Sequence, residues 1–208
     1  MHSTIEPPAC RRDNPARTDR QQASGSMMES MSHFQIALLR GINVGKAKRV
    51  AMADLRKLVE GLGYGNVSTL LNSGNVVFTT PRAAAGNAAA KIEKAIAEEI
   101  GVGCRVIVIS ATELAAAIAE NPLVDLADKH SRLMVGVLAE SVDLTKLKLL
   151  AKQNWDPEVL AIGTRALYYW LPGGINDSKL ATAIARSLGN GITTRNWATM
   201  LKLRELTK

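Results

Sequence analysis

Apolar residues alternate between short strand-like runs and helix-like repeats in the first half of the chain. The apolar runs predict four strands, at 34–39, 67–71, 76–80 and 105–109. Helical spacing follows the first and third runs, in Leu55-Leu58-Leu62 and Ile92-Ile96-Ile100. Residues 72–75, Asn-Ser-Gly-Asn, give a tight hairpin signal between the second and third strands. The predicted order of elements is therefore β-α-β-β-α-β.

The second half repeats this order without detectable residue identity. Strand-like runs occupy 133–138, 159–162, 166–171 and, more briefly, 191–194. Helical repeats lie at 144–150 and 180–188, and Asn176 or Asp177 is expected to cap the second of them. A last helix is predicted from Trp197 to Leu206, with Thr194 or Asn196 as its cap. The chain therefore reads as a structural duplication.

The repeated order predicts an α/β (α+β) fold of duplicated ferredoxin-like β-α-β-β-α-β units with a C-terminal helix. We expect a disordered tail over 1–32, a first unit over 33–109, a connector over 110–132 and a second unit with the C-terminal helix over 133–208. The tail is polar, rich in proline and arginine, and lacks periodicity. The connector opens with Ser110 and Glu113 at capping-box spacing, which predicts a helix there.

The connectivity of each unit predicts which loops become neighbours. A right-handed crossover makes strands one and two parallel, and strand three runs antiparallel to both. The loop over 40–49 and the hairpin over 72–75 are therefore expected at the same end of the first sheet, together with the turn over 101–103. We predict a binding site on this rim.

Ten candidate ligand-binding residues lie on the rim and at the last strand–helix junction: Arg40, Gly41, Asn43, Gly45, Lys46, Ser73, Gly74, Asn75, Arg195 and Asn196. Arginine holds phosphate or carboxylate through two parallel hydrogen bonds, and glycine lets backbone approach a ligand closely. The helix starting near Met52 presents free N–H groups to an anion. Structural alternatives remain open, since the glycines serve turns, Asn43 caps its own loop, Asn196 caps the last helix, and Arg195 with Asn196 completes a domain interface instead of an anion site. No catalytic residue is predicted.

Charge favours an anionic partner for the rim. The 208-residue chain has a formal net charge of +7, whereas the four arginines of 1–32 are offset by four acidic residues. Residues 40–57 hold six basic side chains against Asp54 alone. A solvated basic face without a partner is the alternative.

Other features of the sequence narrow the class of protein. No apolar run is long enough for a membrane helix, and the first 30 residues lack the apolar centre of a signal peptide, so a cytoplasmic location is expected. Two cysteines and three histidines are too scattered for a disulfide framework or a metal site, and no cofactor is predicted.

Four motifs carry a resemblance to a known family: Ala37–Gly45, Asn72–Phe78, Asn121-Pro122, and Thr193–Trp197. With them the chain resembles the bacterial domain-of-unknown-function family 1697 over about 33–207. The resemblance implies a cytoplasmic α/β protein of ferredoxin-like units and implies no activity. This chain departs from the family pattern at Lys46, Ala51 and Ala198, and Ala51 removes a proline that would favour the first helical turn.

These observations favour a non-catalytic binding protein for a phosphate-bearing ligand, either a nucleotide or a nucleic acid backbone. Strands one and three supply only Phe34 and Phe78, so base stacking on the sheet is not expected. A small-molecule enzyme acting on an anionic substrate is the second hypothesis, although Ser73 lacks a visible base. An interaction or assembly protein, including a homodimer, is the third.

Overall fold

The computed structural model describes residues 32–43, 49–81, 86–140, 142 and 144–208. Residues 1–31 of the predicted tail lie outside these ranges, as do the candidate residues Gly45 and Lys46. The described part contains eight strands and six α-helices. The elements up to the connector are β1 Ser32–Arg40, α1 Met52–Gly61, β2 Gly65–Leu70, β3 Asn75–Pro81, α2 Ala88–Ala95, β4 Arg105–Ser110 and the connector helix α3 Ala111–Ala119.

The second half repeats the order of the first. Its elements are β5 Leu133–Leu138, α4 Leu144–Ala151, β6 Val159–Ile162, β7 Ala166–Trp170, α5 Lys179–Leu188, β8 Ile192–Asn196 and the final helix α6 Trp197–Glu205. The strands form two antiparallel four-stranded sheets, ordered β2-β3-β1-β4 and β6-β7-β5-β8. The predicted duplicated fold is therefore confirmed.

Alternation along the strands gives each sheet two apolar faces. In β1, Ile36 and Leu38 point to one side while Ala37 and Leu39 point to the other, and all four are buried. The outer face of the first sheet packs against α1 and α2. The outer face of the second sheet packs against α4 and α5 in the same way.

The inner faces of both sheets share one central core. Side chains from β1 and β4 belong to the same apolar cluster as side chains from β5 and β7. Helices α3 and α6 complete this cluster and contact each other, α3 resting on β1 and β4 and α6 on β5 and β8. The face that a lone ferredoxin-like unit leaves open is therefore covered in both units.

Side-chain caps fix where three helices begin. Ser110 and Glu113 form the predicted capping box of α3, with the Glu113 N–H donating to Ser110 Oγ at 3.1 Å. Asn196 caps α6 by accepting from the Thr199 N–H at 2.9 Å. The expected Asn176 or Asp177 cap of α5 is wrong, because Ser178 Oγ accepts from the Ala181 N–H instead. Asn, Asp and Ser are nearly equal as caps, so residue type alone does not choose among three in succession.

Replacing Leu114 by alanine tests the shared core. Leu114 is completely buried in α3 within the central cluster, so Leu114→Ala is expected to lower the free energy of unfolding by about 3 kcal/mol. Leu149→Ala makes the same chemical change at a side chain that is 65% exposed, and should change stability by less than about 0.5 kcal/mol. Urea unfolding measures both. Equal losses would contradict a core shared by the two sheets.

Adjacent tyrosines on β7 face opposite cores. The Tyr168 hydroxyl donates to the Ala117 carbonyl at 2.7 Å, and the Tyr169 hydroxyl lies 2.6 Å from Thr194 Oγ1. Burial raises the pKa of both tyrosines to about 12, and Glu120 adds to the effect at Tyr168. At Tyr169, the hydrogen bond with Thr194 and the Arg40 cation partly offset the effect of burial.

These raised pKa values predict alkaline destabilisation. Between pH 10, the ordinary tyrosine pKa, and about 12, the folded protein keeps protons that the unfolded chain has released. The free energy of unfolding is therefore expected to fall as pH rises through this window, which urea unfolding at a series of pH values measures. Tyr168→Phe should make the fall shallower. A slope that is the same in this variant and in the parent would contradict the assignment.

Candidate functional site

The loop after β1 and the hairpin before β3 meet at one rim, as their connectivity predicts. The Leu39 N–H donates to the Gly74 carbonyl at 2.8 Å. Arg40 at the end of β1 pairs in register with Arg105 at the start of β4, so the turn before β4 reaches the same end. The rim thus joins three segments that are distant in the sequence.

Asn43 holds two of these segments together. Its amide Nδ2 donates to the Val50 carbonyl at 3.0 Å and to the Asn72 carbonyl at 2.8 Å, and its Oδ1 accepts from the Val50 N–H at 2.9 Å. The residue sits at φ 54°, a left-handed conformation that asparagine tolerates better than most side chains. Asn43 therefore fixes the backbone of the rim, in line with the structural alternative.

The hairpin needs glycine at position 74. Gly74 has φ 74°, and a Cβ there would lie 2.6 Å from Ile42 Cδ1 and 2.7 Å from Leu39 Cβ. The hairpin backbone is therefore pressed against the strand end, which leaves no room for a ligand between them at this residue. Gly41 also has positive φ, at 77°, but open space surrounds it.

Asn75 faces inward, away from solvent. It is completely buried, and its Nδ2 donates to the Leu70 carbonyl at 2.7 Å and to Ser73 Oγ at 3.0 Å. Its Oδ1 accepts from Nε of Arg195, which comes from the other sheet. All its side-chain atoms are therefore engaged within the protein.

Arg195 bridges the two sheets with hydrogen bonds alone. Nη2 donates to the Leu39 carbonyl at 2.7 Å and to the Ser73 and Gly74 carbonyls at 3.1 and 3.2 Å. Nη1 donates to Thr193 Oγ1 and to the Thr194 carbonyl. No ion pair between described residues includes Arg195, which is 8% exposed, and burial lowers its pKa to about 10. It remains a cation at neutral pH, with every donor nitrogen directed at the protein.

Arg40 also crosses between the sheets, but it uses fewer donors. Its Nη1 donates to the Ile192 carbonyl at the start of β8, 2.7 Å away. No ion pair between described residues includes Arg40, and its side chain is only half-buried. Asn196, by contrast, is occupied as the cap of α6. Of the two candidate arginines that the structure describes, Arg40 is therefore the one with donors that the described residues leave unused.

A cleft of about 370 Å³ opens at the N-terminus of α1. It is lined by Asn43, Arg49, Val50, Ala51, Met52 and Asn72. The N-cap residue Ala51 offers no side-chain hydrogen bond, so the first-turn N–H groups of a ten-residue helix have no side-chain cap. Arg49 is exposed, and among described residues it forms no ion pair. This cleft combines a basic side chain, two asparagines and backbone donors.

Sequence reasoning chose the rim but not all the residues that line its cleft. Arg49 and Asn72 stand beside the candidates without being among them, although the basic run and the hairpin contain both. For Arg195 the sequence leaves an anion site and a domain interface open, and the structure shows this residue bridging the two sheets. Arg195 pairs with Val135 across β5 and β8, and such partners share a face, so the residue had to point into the central core.

Two classes of site lack support in the described ranges. No group of three or more His, Cys, Asp or Glu side chains there is arranged to hold a metal ion. Likewise, no helix in those ranges combines the length and apolar character that a membrane span requires.

Fold and rim together define a class: an α/β protein of two ferredoxin-like units joined through their inner sheet faces. The model of a family described as a protein of unknown function, DUF1697, matches residues 31–168, and the chain belongs to this family. Among solved structures it is similar to a conserved bacterial protein from Streptococcus pneumoniae, with 23% identity and a TM-score of 0.70. That match covers 86% of this chain and 100% of the other, and it concerns the fold alone. No curated protein matches the chain.

Replacing Arg195 tests its bridging role. Arg195→Met leaves buried carbonyl oxygens and Asn75 Oδ1 without donors, and should lower the free energy of unfolding by about 3 kcal/mol or more. Arg204→Met makes the same change at an exposed position of α6 and should have an effect below about 0.5 kcal/mol. Urea unfolding compares them. A bridge variant as stable as the parent would refute the role.

Proposed function

We propose that this DUF1697 protein is a non-catalytic binding protein whose cleft at the N-terminus of α1 receives a phosphate group. The observation that carries the proposal is the 370 Å³ cleft in which Arg49, Asn43 and Asn72 surround an uncapped helix start. A volume near this size falls in the range of small-ligand sites. The ligand class is a nucleotide or the backbone of a nucleic acid.

The charges around the cleft suit a phosphate. Uncapped N–H groups and the helix dipole favour an anion at the start of α1, and arginine is well shaped to bind phosphate oxygens. Asp54, the acidic residue of the first turn, does not line this cleft but another, on the side of Lys57 and Glu99. Lys46 and Lys48 add positive charge to the segment that joins Asn43 to Arg49 along the chain.

The described lining of the cleft supports binding rather than catalysis. It holds no histidine, cysteine, tyrosine or carboxylate, so none of these side chains is in place to transfer a proton. Ser73, the nucleophile considered from the sequence, is not part of this lining, and its hydroxyl accepts a hydrogen bond from Asn75.

The fold also limits how a nucleic acid would bind. Ferredoxin-like RNA-binding modules stack bases on the open face of the sheet. Here that face is buried in the central core, with Val77 of β3 only 1% exposed. A nucleic acid would therefore contact the rim through its phosphate backbone and would not stack its bases on the sheet.

Binding of inorganic phosphate, ADP and a single-stranded oligothymidylate, measured by titration calorimetry at several salt concentrations, tests the proposal. Arg49→Gln should weaken binding of the preferred probe by about tenfold, because a charged hydrogen bond is lost. The dependence of affinity on salt concentration distinguishes a nucleotide from a nucleic acid strand. A strand that is neutralised at several phosphates loses affinity steeply as the salt concentration rises.

Arg56→Gln is the matched control, because it removes one charge from α1 at an exposed residue paired with Glu60. It should leave the affinity within about twofold of the parent, as expected for a screened surface charge. Absence of binding to all three probes at low salt would refute the proposal, as would equal losses in the two variants.

A further inference from the structure

A second cleft, of about 330 Å³, lies between α5 and the second sheet, beside the point where Arg40 reaches across from the first sheet. Its apolar lining consists of Ile175, Ala181, Ile184, Ala185 and Ile192. Ile175 is 44% exposed at this cleft. The cleft thus combines apolar side chains and hydroxyl groups with a cation at one side.

The hydroxyl groups of this cleft are already paired within the protein. Tyr169 and Thr194 share a hydrogen bond of 2.6 Å, and Thr182 Oγ1 donates to the Ser178 carbonyl at 2.9 Å. These hydroxyl groups therefore do not need a polar ligand as a hydrogen-bond partner. The remaining polar side chain of the described lining is Arg40.

Arg40 has donors to spare on this side. Among contacts within the described ranges only Nη1 is engaged, with the Ile192 carbonyl, and no carboxylate of those ranges pairs with the cation. Arg40 and Tyr169 line the same cleft, which places the guanidinium charge there. Nε and Nη2 form the fork that a carboxylate bridges with two parallel hydrogen bonds.

We propose that this cleft binds a small monocarboxylic acid with an apolar chain, its carboxylate on Arg40 and its chain against Ile175, Ala181 and Ala185. An arginine with unused donors favours an anion, and the apolar side chains of the lining favour a hydrocarbon body over a purely ionic ligand. A bound chain would also cover Ile175. This site is separate from the α1 cleft and does not depend on the function proposed for it, because the two linings share no residue.

Octanoate and the neutral analogue octanol are the probes, with the full chain as the protein. Calorimetry should show octanoate binding and at least a tenfold weaker interaction with octanol, since the neutral head cannot pair with Arg40. The methyl resonances of Ile175 should shift on addition of octanoate. Equal binding of the two probes, or octanoate binding that leaves these methyl groups unchanged, would overturn the proposal.

Two variants test the head and the chain separately. Arg40→Gln should weaken octanoate binding by about tenfold or more, whereas Arg186→Gln, the same charge change on the exposed side of α5, should not. Ala185→Leu fills the groove from a solvent-exposed helix position and should also weaken binding, so the test survives if Arg40→Gln fails to fold. Octanoate affinity unchanged in Ala185→Leu would overturn the proposal.

The same titrations distinguish this site from the phosphate cleft. Arg49→Gln should leave octanoate affinity as in the parent, and Ala185→Leu should leave phosphate or ADP affinity unchanged. Loss of octanoate binding in Arg49→Gln would overturn the separate site. Failure of phosphate binding alone would refute only the function proposed for the α1 cleft.

Discussion

The guanidinium of Arg195 is the interaction on which the arrangement of the two sheets depends. No carboxylate of the described residues pairs with this buried positive charge, which carbonyl and amide oxygens of the first sheet stabilise instead. Burying a cation is unfavourable unless each donor is satisfied, so the hairpin before β3 must keep its carbonyls turned toward β8. The conformation of the rim is therefore set partly by the other half of the chain. Arginine suits this position because its planar fork presents five donors in fixed directions.

The shared core decides where function can reside. Stacking the inner faces of both sheets around α3 and α6 removes the broad surface that a single ferredoxin-like unit would offer to a ligand. What remains is the sheet ends and the grooves beside the outer helices. The two clefts considered above occupy such places, one at the start of α1 and one along α5.

The order of strands and helices followed from the sequence because the spacing of apolar residues is clear in both halves. It is clear because both faces of each sheet are buried. The joining of rim loops followed as well, since crossover handedness leaves one arrangement. The roles of single polar residues did not follow. Asn75 and Arg195 have the side chains of a ligand site, but the same donors and acceptors also bridge buried backbone. Only the strand register, which pairs Arg195 with the core residue Val135, separates the two uses.

The contrast between three arginines shows how that separation works. Arg195 has every donor nitrogen bound to the protein, whereas the contacts between described residues engage one nitrogen of Arg40. Arg49 is exposed at a cleft and forms no ion pair with a described residue. The capacity of a cation to bind a ligand depends on donors that folding leaves unused, and not on its place in a basic run. That criterion is the basis of both proposals, which assign phosphate to Arg49 and the backbone donors beside it, and a carboxylate with an apolar chain to Arg40.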